Sequence, residues 1–219
     1  MAAIDATNTT GASAGNNPNS IIYRPIGWND LDAVVELFDR TWPQDGELAG
    51  TETSLLISRY FVLHYLQPTT FANAAFTVDG TLAGVTFIRV AGEQPQLDEI
   101  DVADEMAGIE RGIIAHEEAA KRLERLNNAF SLELALERNS RAKLFVVNPD
   151  VRGQGVGGGL WRRMQEHFAA WNVDAFYLHT DSDCDVSFYD HKGLERIAER
   201  NAEVSSVDGA EPLFDDMFI

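Results

Sequence analysis

Five glycines fall within seven positions of "VVNPDVRGQGVGGGLW", residues 146 to 161: Gly153, Gly155, Gly157, Gly158 and Gly159. Glycine weakens regular structure, so such density is kept where backbone must turn sharply or let something come close. The stretch follows "AKLFVVN", a near-continuous apolar run of the kind a strand buried on both faces carries. It precedes "LWRRMQEHFAAW", which reads as a helix. The first amides of a helix lack intrahelical acceptors and sit at the positive end of its dipole, so this junction suits an anion.

Three anion-binding patterns compete for these glycines. The phosphate loop G-x-x-x-x-G-K-[ST] is met by Gly153 and Gly158, but Gly159 and Leu160 stand where the lysine and hydroxyl belong. The dinucleotide pattern G-x-G-x-x-G fits Gly153, Gly155 and Gly158, with Asp181 ending the next strand. "NPDVR" intervenes before its first glycine, however, and too little chain follows Asp181 for the rest of a doubly wound sheet. A nicotinamide-dependent enzyme is therefore the most distant reading. The third pattern takes in the residues the others ignore. "LFVVNPDVRGQGVGGGL", with its core Arg152-Gly153-Gln154-Gly155-Val156-Gly157, resembles the acetyl-CoA-binding segment R/Q-x-x-G-x-G/A of the GNAT superfamily of N-acetyltransferases. One helix and one strand downstream, "SFYDHKGL" resembles that family's F-Y-x-x-x-G-F signature, with Leu194 in place of the last phenylalanine.

The resemblance covers about residues 21 to 219, apart from an insertion near 95 to 140. It implies an α/β (α+β) GNAT fold: a mixed, mostly antiparallel sheet with splayed central strands, flanked by helices, plus a helical insertion before the acetyl-CoA-binding strand. It implies acetyl-CoA as co-substrate, direct attack by a primary amine in a ternary complex, and a homodimer. Amides of Arg152, Gly153, Gln154, Gly155, Val156 and Gly157 would cradle pyrophosphate, where a Cβ at Gly155 or Gly157 would hold the phosphates off. Backbone of Phe145, Val146 and Val147 would pair with the pantetheine arm. Tyr189 falls at the family's general-acid position, and a phenol with pKa near ~10 is protonated at neutral pH. Ser182 or Asp183 stands where family members carry a cofactor-contacting asparagine. The central strands lack the glutamate that serves many members as base, with Lys143 and Tyr177 near its place. His179 and Asp181 are the candidates in its stead. Glu133 and Glu137 lie on "FSLELALE", whose alternation of Phe130, Leu132, Leu134 and Leu136 predicts a strand. The missing glutamate keeps open a non-catalytic acetyl-CoA-binding module.

The remaining chain is consistent with this order. "IIYRPI" predicts a first strand. "WNDLDAVVELFDRTW" predicts a helix capped at Asn29 or Asp30, with Leu31, Val34, Val35 and Phe38 on one face. "TETSLLISRYFVLHYLQP" predicts a second helix capped near Thr51 or Thr53, its aromatics Tyr60, Phe61 and Tyr65 core residues. "AAFTVDGTLAGVTFIRVAG" is a hairpin about Asp79-Gly80. "LERIAERNAEV" and "PLFDDMFI" close the chain as strands, after a short helix with Gly193 at its C′ position. Residues 1 to 20 read as a flexible polar tail and 21 to 219 as one domain.

Against 17 Lys+Arg stand 35 Asp+Glu, a net charge of −18. That field disfavours nucleic acid and anionic membranes and attracts cations; it equally serves solubility, so two readings of it stand. Cys184 is the only cysteine, excluding an intrachain disulfide or a cysteine cluster, and a reducing, cytoplasmic setting is expected. The alternating Asp181, Asp183 and Asp185 fail as a calcium loop, because valine and lysine occupy its glycine and glutamate positions. No metal is expected. Peptide N-termini, polyamines, aminoglycosides and amino acids all remain possible acceptors.

Overall fold

The computed structural model describes residues 20–134, 140–181, 184–200 and 217–218. The chain runs β1 (Ile21–Pro25), α1 (Leu31–Thr41), α2 (Glu52–Leu66), β2 (Phe71–Thr77), β3 (Leu82–Arg89), α3 (Glu99–Ile114) and α4 (Glu117–Leu134). It continues β4 (Arg141–Val147), α5 (Val156–Ala170), β5 (Tyr177–Leu178), β6 (Thr180–Asp181), α6 (Val186–His191), β7 (Glu199–Arg200) and β8 (Met217–Phe218). Among the described residues no helix is long and apolar enough to cross a membrane.

Strands β1 to β5 form one sheet in sequence order, antiparallel throughout except for the parallel pair β4–β5. That is not the parallel, doubly wound sheet the dinucleotide pattern needs. A second sheet of β6, β8 and β7 is antiparallel. One face of the main sheet is covered by α1 to α4. The predicted stripe of α1, joined by Leu37, packs there with Ile57, Tyr60 and Phe61 of α2 and with Ile109, Ile113, Leu123 and Leu126 of the insertion helices. The other face is covered by α5 through Val156, Leu160, Trp161, Met164 and Phe168.

Two local features set the geometry of the centre. Phe87 faces Leu144 and Ile88 faces Ala142, so Lys143 is an extra residue in β4, a bulge. The bulge switches faces: Ala142 packs with Trp161 and Met164 on the α5 side, whereas Leu144 packs in the core of α1 and α2. Strand β5 then pairs with β4 only at Arg141–Tyr177 and Ala142–Leu178. Beyond Ala142, the outer edge of β4 has no strand partner among the described residues, and the central pair is splayed.

Most expected elements stand where the sequence puts them, with four differences. The alternating "FSLEL" is the end of α4 rather than a strand; its apolar residues continue the spacing Leu123, Leu126, Phe130, which a helix satisfies equally. Residues 135 to 139, including Glu137, lie outside the described residues. Helix α5 begins at Val156, so Gly157, Gly158 and Gly159 form its first turn instead of a preceding loop. "AFYLHT" is broken at His179, because 177–178 pair with β4 while 180–181 turn to pair with β8. Asp30 is the N-cap residue of α1 as expected, but its carboxylate bonds away from the helix, accepting from the Gly27 N–H at 3.0 Å and from Arg24. Thr51 does cap α2, accepting from the Ser54 N–H at 3.2 Å. The tail over 1 to 19 falls outside the described residues, as do 201–204, 212–216 and 219 of the expected closing strands; of their described residues, 199–200 and 217–218 are strand and 194–198 are not.

Candidate active site

The glycine segment is built outward from the end of β4. Asn148, buried, donates its main-chain N–H to the Ala83 carbonyl at 2.9 Å and its side-chain amide to the Leu82 carbonyl at 3.0 Å. Its Oδ1 accepts from the Asp150 N–H at 2.9 Å, closing a 3-10 turn over Pro149–Val151. The chain then passes through Gly153 and Gly155 at φ 80° and 77°, a left-handed conformation that disfavours any side chain. Gly155 is the N-cap of α5 and has no side chain to offer the helix amides. The first helical bond goes from the Gly159 N–H to the Gly155 carbonyl at 2.9 Å, which leaves the N–H groups of Val156, Gly157 and Gly158 pointing out of the helix start.

The glycines of that first turn differ in what surrounds them. A Cβ on Gly159 would collide with the hydroxyl of Tyr23 on β1, so this residue lets the helix lie close on the sheet. A Cβ on Gly157 would meet only Val147 Cγ2, at 3.5 Å, and one on Gly158 would meet nothing within 4 Å. Close packing of α5 on the sheet therefore depends on Gly159 and not on Gly158. Arg152 and Gln154 are exposed beside the turn. Arg163 lies over the Tyr23 ring at 4.4 Å, and Arg162 stands 3.9 Å from Glu166 on the solvated face of α5.

Aromatic contacts dock α6 beside this segment. Phe188 stacks on Phe145 of β4 with centroids 5.3 Å apart and meets Trp161 of α5 edge-on at 5.6 Å. Tyr189 follows at 6.4 Å from Trp161. Gly193, at φ 77°, ends the helix, where the Leu194 N–H bonds to the Tyr189 carbonyl at 3.2 Å. Burial pushes the Tyr189 phenol well above its ordinary range, reinforced by the negative charge of Cys184, Asp181 and Asp185 when ionised. Burial, with Asp181 nearby, raises the Cys184 thiol to about 12.

His179 stands at the break between β5 and β6, its ring edge-on to Tyr177 at 5.5 Å. His179 and Tyr189 line one cleft of about 1040 Å³ along the outer side of β5, together with Tyr177, Leu178 and Leu194. Asp181 lies outside that lining but close enough to Tyr189 and Cys184 to act on both. Phe145 and Val147 face α5, whereas Val146 belongs to the opposite core. Ser182 and Asp183 are outside the described residues. Glu133 is carried on the backbone of α4.

Sequence reasoning missed Arg40 and Asn148. The Asn-Pro pair signals a turn. Nothing in the sequence pairs it with Arg40, which lies 108 residues away and bonds Asn148 through Nη2.

A mixed sheet whose parallel central pair parts after two residues, next to a glycine turn opening a helix, is the architecture of an acetyltransferase. The profile of the Acetyltransferase (GNAT) family matches residues 31–193, and the chain belongs to that family of N-acetyltransferases. Among solved structures, the polyamine N-acetyltransferase of Drosophila melanogaster, which catalyses formation of N-acetylagmatine, superposes with a TM-score of 0.56 at 13% identity, covering 91% of this chain and 98% of its own. Arylalkylamine N-acetyltransferase 2 of Aedes aegypti gives 0.53 at 16% identity, covering 90% and 95%. The ribosomal-protein-S18-alanine N-acetyltransferase of Escherichia coli gives 0.52 at 12%, covering 91% and 90%. At these identities the likeness is one of fold. No curated protein sequence matches the chain.

Proposed function

We propose that this protein transfers acetyl from acetyl-CoA to a primary amine by direct attack within a ternary complex. One observation carries the reading: β4 from Leu144 onward, whose outer edge has no strand partner among the described residues, leads straight into an uncapped helix start where a side chain at Gly158 would meet nothing and one at Gly157 only Val147. A pantetheine-like arm can add along Phe145 to Val147 as a strand would, and a pyrophosphate can take up the three orphan amides. The residues present therefore fit the co-substrate.

Acetyl-CoA, when bound, supplies an acetyl group activated as a thioester, with a thiol as leaving group. The amides of Val156, Gly157 and Gly158 hold the phosphates, with Gly153 and Gly155 beside them, and the backbone of Phe145, Val146 and Val147 aligns the arm. Of the amides expected to share in holding the phosphates, those of Arg152 and Gln154 are instead committed to the Pro149 and Val151 carbonyls at 3.3 and 3.4 Å. Tyr189 keeps its proton because burial disfavours the phenolate, and it donates that proton to the departing sulfur. The acceptor must lose a proton first: an alkyl amine of pKa near ~10.4 is neutral at pH 7 at a cost of ~4.6 kcal/mol. His179, which shares a cleft with Tyr189, and Asp181 are the groups we assign to accept it, directly or through water. Ser182 stands in the segment that contacts the cofactor in relatives.

The charge of −18 supports a cationic acceptor. Polyamines, agmatine, arylalkylamines, aminoglycosides, amino acids and peptide N-termini form the screen. We further read residues 21–219 as one domain working as a cytoplasmic homodimer. The absence of a carboxylate from the sequences of β4 and β5 supports a second reading, an acetyl-CoA-binding module without turnover.

Thermal unfolding with acetyl-CoA, CoA, NADH and ATP tests the reading. A ligand at about 100 times its Kd stabilises the fold by about 2.7 kcal/mol. Stabilisation by the CoA pair alone is expected, and stabilisation by NADH alone would overturn it. The enzyme and the binding module then separate on Tyr189→Phe, which in an enzyme keeps CoA affinity and loses turnover.

A further inference from the structure

The turn that feeds the glycine segment is held from outside by a residue of α1. Arg40, in the last turn of that helix, sends Nη2 to Asn148 Oδ1 at 2.5 Å and Nη1 to Asp150 Oδ2 at 2.9 Å. Asn148 is itself fixed by its bonds to Ala83, Leu82 and Asp150, so order runs unbroken from the β3–β4 ladder through Asn148 to the guanidinium. Downstream, the chain reaches α5 through two left-handed glycines, and glycine contributes little stiffness of its own.

The ion pair within this arrangement contributes little to stability. The Arg40 and Asp150 side chains are 48% and 72% exposed, and ion pairs that open to water add little to folding. What a guanidinium does supply is a planar fork that sets the relative placement of two acceptors, which an ammonium cannot do. The two acceptors here are the first and last side chains of the stretch Asn148–Asp150, immediately before the amides that face the ligand.

We infer that Arg40 is a positioning residue for the phosphate-binding segment, aiming the turn over Pro149–Val151 so that the amides at the start of α5 are set before the ligand arrives. The inference rests on reading that segment as the acetyl-CoA site. Preorganisation of this kind appears in affinity rather than in stability.

The test is calorimetric titration of acetyl-CoA and CoA into the wild type, Arg40→Ala, Arg40→Lys and Asp150→Asn, with the unfolding midpoint of each free protein. Arg40→Ala is expected to raise both dissociation constants about tenfold or more while its midpoint stays within about 2 °C of the wild type. Arg40→Lys keeps the charge and loses the fork, so it should weaken binding nearly as much; Asp150→Asn should give a smaller loss. Wild-type affinity in Arg40→Lys would overturn positioning in favour of a charge effect. Unchanged affinity in Arg40→Ala would overturn the inference and leave the acetyl-CoA reading standing. Failure of the wild type to bind either ligand would remove both. Should Arg40→Ala not fold, Arg40→Lys and Asp150→Asn decide the matter.

Discussion

Gly157, Gly158 and Gly159 are consecutive and helical, yet each would answer a side chain differently. At Gly158 the space is open, so alanine should stabilise the free protein by about 0.5–1 kcal/mol through helix propensity alone. At Gly159 even a methyl group must displace the Tyr23 ring, itself held under Arg163, and alanine should cost about 1–3 kcal/mol. At Gly157 valine has a helix propensity near that of glycine, so stability should move by no more than about 0.5 kcal/mol. Its branches would occupy the space before the orphan amides, and acetyl-CoA binding should be lost. Unfolding midpoints and titration of the three variants read these outcomes; retained affinity in Gly157→Val would place the phosphates elsewhere. Tyr189 carries a second prediction at this scale. With its phenol held above the usual ~10, the proton remains through the range in which an alkyl amine deprotonates, so kcat/KM should rise with pH to about 10 without a descending limb. A descending limb centred below pH 9 would mean that another group is the acid. Cys184, raised to about 12, should resist iodoacetamide at pH 8 in the folded protein and react once unfolded, as mass spectrometry would read.

Elements in this protein are joined by a few side chains that stand in for missing backbone partners, and Gln96 is one. Its amide donates to the Ile26 carbonyl at 2.9 Å and the Ala72 carbonyl at 3.2 Å, and its Oε1 accepts from the Ala72 N–H at 2.6 Å. The segment leading into α3 is thereby tied to the end of β1 and the start of β2. Gln96→Ala would leave the Ala72 N–H without that acceptor, and about 2 kcal/mol should be lost, lowering the unfolding midpoint by about 4–8 °C. How far such elements could be read in advance depended on whether their signal was local. The hairpin at Asp79-Gly80, the capped helix from Thr51 and the strand before the glycines each carry it within a few residues. So do the glycine turn and Tyr189 on its short helix. The end of α4 did not, because Phe130 and Leu134 satisfy both the alternation of a strand and the spacing of a helix. The bulge at Lys143 and the early parting of β5 from β4 depend on registers between distant segments. The Arg40–Asn148 bond is of the same kind, and no local pattern announces it.

At the scale of the whole molecule, the charge of −18 sets opposite demands for two ligands. An anionic co-substrate must approach a protein that repels it, which requires local relief; Arg152, exposed beside the turn, is the cation placed to contribute it. A cationic acceptor is drawn by the same distant field. These effects differ in range, since the long-range field is screened as the Debye length shrinks from about 10 Å at 0.1 M salt to about 3 Å at 1 M, while contacts at the orphan amides are short. The rate of encounter with a cation should therefore fall with ionic strength, and more steeply for a diamine than for a monoamine of similar size, because attraction scales with ligand charge. Measuring kcat/KM for such a pair across that salt range, at saturating acetyl-CoA, checks it. A salt dependence equal for both amines would mean that the acidic surface serves solubility alone and takes no part in choosing the acceptor. A steeper fall for the diamine would tie the composition of the chain to the chemistry of its substrate, through a field that no single carboxylate near the site accounts for.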